Sequence, residues 1–88
     1  MRKMYKLRFG RSVKKDFKGM PKSIQKHILK KIDLLTLNPF PPNSKKLQTT
    51  DYYRIRVGDY RVVYSVFEEV LTIQIIRIRH RKDVYRNL

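Results

Sequence analysis

The chain has 88 residues, with 22 Lys or Arg against seven Asp or Glu, a formal net charge of +15. That length allows one domain over residues 1–88, and a hydrophobic fraction of 41% supports a small core. The absence of cysteine excludes disulfide frameworks and thiolate metal sites, and two His with seven carboxylates do not suit a two-metal hydrolytic site. No apolar run approaches the ~20 residues that span a bilayer, and no signal-peptide core is present, so we expect a soluble cytoplasmic domain without membrane contact.

The excess of positive charge predicts an anionic partner, because a domain with this charge repels itself. Nucleic acid, an acidic membrane surface and an acidic protein all fit the charge alone. Part of the charge is a diffuse lysine coat, which either only solvates the chain or also docks on nucleic acid. Its members are Lys14, Lys15, Lys18, Lys22, Lys26, Lys30, Lys31, Lys45 and Lys46.

The first third of the chain predicts a strand and a short helix. Tyr5, Leu7 and Phe9 alternate with basic residues, which is the period of a half-buried strand. Ser12 is placed to cap the helix that follows, and Gly19 is placed to end it.

A second, longer helix is predicted from Pro21 to the Asn38-Pro39 stop. Its apolar side chains recur at helical spacing and form one stripe. The stripe consists of Ile24, Ile28, Ile32 and Leu35, widened by Leu29 and Leu34. Leu47 is expected to anchor the proline-rich loop that follows to the core.

The second half of the chain predicts a β-hairpin. Gly58-Asp59 is a two-residue turn signal, with glycine at the position that a type II′ turn requires. This turn sets the register of the two strands, so Arg56 lies opposite Arg61 and Arg54 lies opposite Val63.

A third strand is predicted over about residues 70–79, after a break at Glu68-Glu69. An even-length loop there keeps the apolar side chains on one face. The expected cross-strand pairs are Arg61 with Ile76 and Val63 with Gln74. The apolar face then carries Tyr53, Ile55, Val57, Tyr60, Val62, Tyr64, Val66, Leu71, Ile73 and Ile75. The opposite face carries Arg54, Arg56, Arg61, Ser65, Thr72 and Gln74.

Three arginines on this second face can be interpreted in two ways. A solvated strand face often carries arginine, but such a face usually mixes charge signs, and this one has no carboxylate. Alternatively, guanidinium groups held on a rigid sheet can grip a phosphate with paired N–H donors.

The run from Tyr52 to Tyr64, followed by a strand and by the segment His80-Arg81-Lys82-Asp83-Val84-Tyr85, resembles the RelE/ParE toxins of type II toxin–antitoxin systems. The resemblance covers nearly the whole chain. It implies an α+β fold in which an N-terminal strand and a helical hairpin precede a three-stranded antiparallel meander, all strands forming one sheet. It also implies an acidic RelB-like antitoxin as partner of a toxin that is monomeric when alone.

Two activities occur in the family that the chain resembles. RelE-like members cleave messenger RNA in the ribosomal A site, without metal or cofactor, by attack of a ribose 2′-oxygen on the adjacent phosphate. ParE-like members inhibit DNA gyrase. We favour the ribonuclease because of the arginine cluster, and a catalytically inactive toxin homologue is the third possibility. The resemblance assigns catalysis to Arg54, Arg56, Arg61, Arg81 and Tyr85.

Further residues are candidates for contacts with messenger or ribosomal RNA: Lys45, Lys46, Arg79 and His80. His80 is the residue type that titrates near neutrality, so it could contact RNA or transfer a proton. Tyr85 could stack on a base, act as general base, or only pin the C-terminal turn to the core. The tail, residues 82–88, is long enough for one helical turn.

Overall fold

The structure is a computed structural model that describes residues 4–48 and 50–82. In this part of the chain two helices and five strands follow one another. Their bounds are β1 (Lys6–Phe9), α1 (Arg11–Lys18), α2 (Lys22–Leu35), β2 (Lys45–Lys46), β3 (Tyr53–Val57), β4 (Tyr60–Phe67) and β5 (Thr72–His80). The strands form one sheet in the order β1-β5-β4-β3-β2, with β1 parallel to β5 and the other neighbours antiparallel. The predicted α+β architecture is confirmed, and β2 is an addition to it.

Helix α1 begins without the predicted serine cap. Gly10 is the N-cap residue, and its amide donates a hydrogen bond to the Ile75 carbonyl oxygen at 2.8 Å. A Cβ atom at Gly10 would lie 3.1 Å from that same oxygen, so the end of β1 approaches β5 closely. This approach fixes where the chain turns from strand to helix, and Ser12 therefore lies inside α1. The prediction that Ser12 caps the helix was wrong.

Helix α2 buries a narrower stripe than predicted. Ile28, Ile32 and Leu35 are at most 1% exposed, whereas Leu29 is 42% and Leu34 is 52% exposed. A helix that packs on one sheet buries only the side chains that point at the sheet, and the two flanking leucines point away from it into solvent. The expected widening of the stripe by the two flanking leucines was wrong.

The core lies between the helices and one face of the sheet. Its most deeply buried side chains are Val13, Ile28, Ile32, Leu35, Val62, Tyr64, Ile73 and Ile75. Leu47 is half-buried and lies outside this core, although its amide donates to the Tyr52 carbonyl oxygen. The loop before β2 is anchored to the core by another residue, Tyr64.

Tyr64 connects β4 to the proline-rich loop between α2 and β2. Its hydroxyl group donates a 2.7 Å hydrogen bond to the Pro39 carbonyl oxygen, and its ring stacks on that of Tyr53. Burial of the phenol raises the pKa of Tyr64 to about 12. The neutral phenol thus holds the loop that delivers Lys45 and Lys46 to the edge of the sheet.

Replacing Tyr64 with phenylalanine should cost about 1–3 kcal/mol of unfolding free energy at neutral pH, because the buried Pro39 carbonyl group loses its donor. The wild-type phenol deprotonates at a higher pH when folded than when unfolded. Its stabilisation is therefore complete below pH 10.0 and is lost as the pH rises toward 12. This loss amounts to about 3 kcal/mol. Measured by urea denaturation, the free energies of unfolding of the wild type and the variant should therefore approach each other between these pH values. A difference that stays constant over this range would contradict the expectation.

The predicted hairpin is confirmed. Gly58 has a φ of 60°, and Arg56 lies opposite Arg61 while Arg54 lies opposite Val63. In the described part of the chain Leu71 is the only non-glycine residue with a positive φ, so Asp59 is not left-handed. This matches a type II′ turn, in which only the first turn residue needs a positive φ.

The register of β5 differs from the prediction, beginning with the loop that precedes it. Residues 68–71 connect the strands through a short 3₁₀ turn, and Phe67 lies opposite Thr72. The loop is longer than predicted but still even, so Ile73 and Ile75 remain on the core face. The predicted pairs Arg61–Ile76 and Val63–Gln74 were wrong.

A β-bulge then changes the parity of the strand. Val63 lies opposite Arg77 and the next residue, Tyr64, lies opposite Ile75, so Ile76 has no partner on β4. Side chains alternate between the two faces of a strand, so one extra residue moves every later side chain to the opposite face. As a result Ile78 is buried in the core at 2% exposure.

Candidate functional site

The bulge in β5 enlarges the cluster of arginines on the sheet face opposite the helices. Beyond it, the arginines of β5 point away from the core and join those of β3 and β4. We call this surface the arginine face, and its members are Arg54, Arg56, Arg61, Arg77 and Arg79. Arg61 is at its centre, directly opposite Arg56 on one side and Arg79 on the other.

The charges of the arginine face act on one another. Partial burial, and then the positive charges of Arg61 and Arg56, lower the pKa of Arg54 below its usual value. Like charges directly opposite one another destabilise a sheet, so this arrangement is unfavourable for the isolated fold. An anion bound among the three guanidinium groups would relieve the repulsion.

Arg61 carries a polar atom that the fold leaves unsatisfied. Its Nε atom is buried and has no hydrogen-bond acceptor within the described residues. A buried N–H group without a partner costs about 1–3 kcal/mol. A rotation of the side chain toward a phosphate would give this atom an acceptor, because guanidinium groups bind phosphates in a paired, planar geometry.

Arg81 is held beside Arg61 by the backbone. Its amide donates a 2.7 Å hydrogen bond to the carbonyl oxygen of Asp59 in the hairpin turn. The end of β5 and this turn enclose a cleft of about 210 Å³. The cleft is lined by Arg56, Gly58, Asp59, Tyr60, Arg61 and Arg81. Four of the five predicted catalytic residues, all except Tyr85, therefore lie on or beside one surface.

The two lysines of β2 lie on opposite faces of the sheet. Lys45 pairs with Arg54 and so extends the arginine face, whereas Lys46 pairs with Tyr53 on the helix-covered side. Both lysines are exposed. Of these two candidate RNA contacts, the register brings only Lys45 to the arginine face.

His80 is not on the arginine face. It lies opposite Tyr60 with its ring packed edge-to-face on the tyrosine ring, at a centroid distance of 5.1 Å. Its Nδ1 atom accepts a hydrogen bond from the Lys82 amide at 3.2 Å. The contacts of His80 are therefore with the end of the hairpin and the start of the tail. Tyr85 lies outside the described residues, as does most of the predicted turn over residues 82–88.

Two residues of this region were not found from the sequence. Arg77 extends the arginine face, and Asp16 on α1 contacts it from the edge of the sheet, with Nε and Oδ2 atoms 3.5 Å apart. The adjacent Ile75 and Ile76 were the available signal, because a doublet of apolar residues interrupts the alternation of a strand and marks a bulge.

Across residues 4–48 and 50–82, no group of three or more His, Asp or Glu side chains is arranged to hold a metal ion. In that same part of the chain, no helix has the length and apolar character needed to cross a membrane.

A sheet with two helices on one face is also the fold of chains in solved toxin–antitoxin complexes. The chain matches one in the archaeal RelE-RelB complex from Pyrococcus horikoshii OT3 with a TM-score of 0.80 and 33% identity, covering 89% of this chain and 96% of that one. It matches one in the RelB-RelE antitoxin-toxin complex from Methanococcus jannaschii with a TM-score of 0.73 and 34% identity, covering 90% and 95%.

Sequence comparison agrees with the fold. The family model for the ParE toxin of type II toxin-antitoxin system, parDE, matches residues 7–85. Toxin RelE3 of Methanocaldococcus jannaschii is 36% identical, over 91% of this chain and 94% of that protein. The chain therefore belongs to the RelE/ParE superfamily of toxins of type II toxin–antitoxin systems.

Proposed function

We propose that this toxin is a ribosome-dependent endoribonuclease, which cleaves messenger RNA in the A site without a metal ion and so inhibits translation. The observation that supports this function best is the position of Arg61, between Arg56 and Arg79 and with an unsatisfied buried Nε atom. A ribosomal target also places the protein in the cytoplasm.

The proposed reaction requires three contributions from the site. The ribose 2′-oxygen attacks the adjacent phosphorus, the bond from phosphorus to the 5′-oxygen breaks, and negative charge accumulates on the phosphate oxygens between these events. A base must take the proton of the 2′-hydroxyl group, a donor must protonate the leaving 5′-oxygen, and cations must stabilise the charge.

Arg61 is the residue that we assign to charge stabilisation. It is part of strand β4, and it lines the cleft together with Arg81. Arg81 supplies the second clamp on the same phosphate, because the hydrogen bond from its amide to Asp59 fixes its backbone there. Such preorganised charges need no rearrangement during the reaction, which is why they lower the barrier.

The other arginines are assigned to holding the substrate. Arg54 and Arg56 bind the nucleotides around the scissile bond, and Arg79 and Lys45 extend the same positive surface along the RNA on either side. We assign the general base to Tyr85, with the resemblance to RelE-like toxins as its support. His80 has no part in this scheme, because its ring packs on Tyr60.

The dependence on the ribosome follows from the chemistry of the arginine face. Arginine remains protonated at neutral pH and is therefore a poor general base. A site that supplies mostly positive charge gains much of its rate when the RNA is already bent toward in-line attack, and the A site can provide that geometry.

We expect the purified toxin to cut messages only on translating ribosomes, with breaks in phase with the codons. In vitro translation followed by primer extension measures this, and the same message without ribosomes is the control. Free RNA should stay intact. Intact messages together with inhibition of DNA supercoiling would contradict the proposal and identify a gyrase inhibitor, whereas no effect in either assay would identify an inactive homologue.

The proposed protein partner is an acidic, RelB-like antitoxin, since the structural neighbours named above were solved as complexes with RelB. This chain offers such a partner an apolar groove of about 430 Å³ between the end of α2 and β3. Leu34 and Leu37 line the groove and are exposed, and Lys31 and Arg56 line it as well. An acidic amphipathic segment fits a groove of this composition and would cover Arg56.

Antitoxin binding should protect the arginine face from a guanidinium-specific reagent. We expect Arg54, Arg56 or Arg61 to react several-fold more slowly in the complex than in the free toxin, as mapped by mass spectrometry. Arg11, which is exposed on α1, serves as an internal reference. Equal reactivity of the arginine face in both states would mean that the antitoxin acts by keeping the toxin off the ribosome.

A further inference from the structure

Asp16 makes a contact that joins α1 to the edge of β5. The side chain is only 10% exposed, and its Oδ2 atom accepts a hydrogen bond from the backbone amide of Ile78 at 2.8 Å. The same oxygen lies 3.5 Å from the Nε atom of Arg77. Within the described residues this is the only ion pair, in a chain with far more basic than acidic side chains.

The amide that Asp16 binds identifies the register of the strand. The Ile75 carbonyl group points toward β1, where it accepts from the Gly10 amide. In a regular strand the next amide on that edge belongs to Arg77, because backbone groups alternate between the two edges. Asp16 instead binds the amide of Ile78, which reaches this edge only because Ile76 forms the bulge.

Asp16 also occupies the place where β1 ends. Strand β1 pairs with β5 only as far as Phe9 and Ile75, and the chain then turns into α1. The edge of β5 beyond that point needs another acceptor for its amide. The carboxylate supplies it, and a hydrogen bond to an ionised acceptor is roughly twice as strong as one to a neutral acceptor.

We propose that Asp16 is a positioning residue that holds β5 in its bulged register and thereby places Arg77 and Arg79 on the arginine face. In the regular register these two arginines would point toward the core, and Ile78 would leave it. The catalytic meaning of this placement rests on the proposed function, whereas the control of the register by Asp16 does not.

Amide hydrogen exchange at Ile78 tests the contact through which Asp16 would hold the register, which is the hydrogen bond from this amide. Relative to amides of the β3–β4 ladder in the same sample, we expect exchange to be about 10-fold faster in Asp16→Asn, which keeps a neutral acceptor. In Asp16→Ala, which keeps none, it should be about 100-fold faster. Asp33→Asn is the matched control, because it removes one exposed helical carboxylate and should leave Ile78 unchanged. If Asp16→Ala does not fold, Asp16→Asn decides alone, and wild-type protection of Ile78 in that variant would overturn the proposal.

A second measurement separates positioning from general stabilisation. In wild-type protein, cross-strand nuclear Overhauser effects should connect Arg61 with Arg79 and Val63 with Arg77. We expect Asp16→Ala to lose these while the Arg56–Arg61 contact of the hairpin persists, and Asp16→Asn to retain them. Loss of stability with every one of these contacts retained would make Asp16 merely structural and overturn the proposal.

Cleavage on the ribosome links the register to activity. Asp16→Ala should cleave at least 10-fold more slowly than wild type, with activity largely recovered in Asp16→Asn and unchanged in Asp33→Asn. Full activity of Asp16→Ala would overturn the positioning role. If wild-type protein itself does not cleave, the proposed function fails, and the exchange and cross-strand measurements still decide whether Asp16 holds the register.

Discussion

Replacing Arg61 with alanine is expected to slow single-turnover cleavage of ribosome-bound message by about 100-fold or more, because one preorganised charge at the reacting phosphate is lost. The fold should survive the change. Arg61 lies on the sheet face opposite the core, and its neighbours across the strands are Arg56 and Arg79. Truncation therefore leaves no core cavity and relieves repulsion, so the free energy of unfolding should stay the same or rise slightly.

Ribosome binding by the same variant should fall little, because the lysine coat supplies most of the long-range attraction to RNA. Co-sedimentation with ribosomes and single-turnover cleavage, measured on one preparation, separate the two effects. Arg11→Ala is the matched control, since it removes the same charge from an exposed position on α1. Equal losses in binding and cleavage would show that Arg61 only docks the protein. Full activity would show that the arginine face is an ordinary solvated surface.

Replacing Ile32 with alanine is expected to have the largest effect on stability, a loss of about 2–5 kcal/mol in the free energy of unfolding. Ile32 is 0% exposed, and its stripe is the part of α2 that packs on the sheet, so truncation opens a cavity in the core. The free energy of unfolding of a native domain is only about 5–15 kcal/mol, so this variant should lose a large part of its stability.

Leu29→Ala is the matched control for this prediction, because Leu29 lies on the same helix but is 42% exposed. It should change the free energy of unfolding by no more than about 0.5 kcal/mol. Urea denaturation measures the free energy of unfolding of both variants. The comparison holds if the slope of this free energy against urea concentration is the same in both. Similar losses in the two variants would mean that Leu29 is covered in solution, for example by self-association through the flank of α2.

Local sequence patterns were sufficient to predict much of the site. The Gly58-Asp59 turn determined the hairpin register, and with it the facing positions of Arg56 and Arg61. A two-residue turn leaves a single way of pairing the strands, which is why this part could be predicted without the rest of the fold. The apolar spacing of α2 likewise identified Ile28, Ile32 and Leu35 as core residues.

The tertiary structure decided what depends on contacts between distant parts of the chain. Whether Leu29 is buried depends on what packs beside α2, and the helical period contains no information on that. The anchoring of the proline-rich loop by Tyr64 joins residues 25 positions apart through one hydrogen bond. A spacing pattern within one element cannot reveal such a contact.

The bulge in β5 is the feature of the site that local sequence patterns did not predict and that a distant contact decides. By sequence alone, strict alternation along the strand would have turned Arg77 and Arg79 toward the core. The structure reverses them through Ile76, and the amide displaced in this way meets a carboxylate 62 residues earlier in the chain. The sequence therefore determined which residues could bind a phosphate, through charge, turn chemistry and hairpin register. Which arginines share one face depends on how α1 meets the edge of β5, because that distant contact selects the register of the strand.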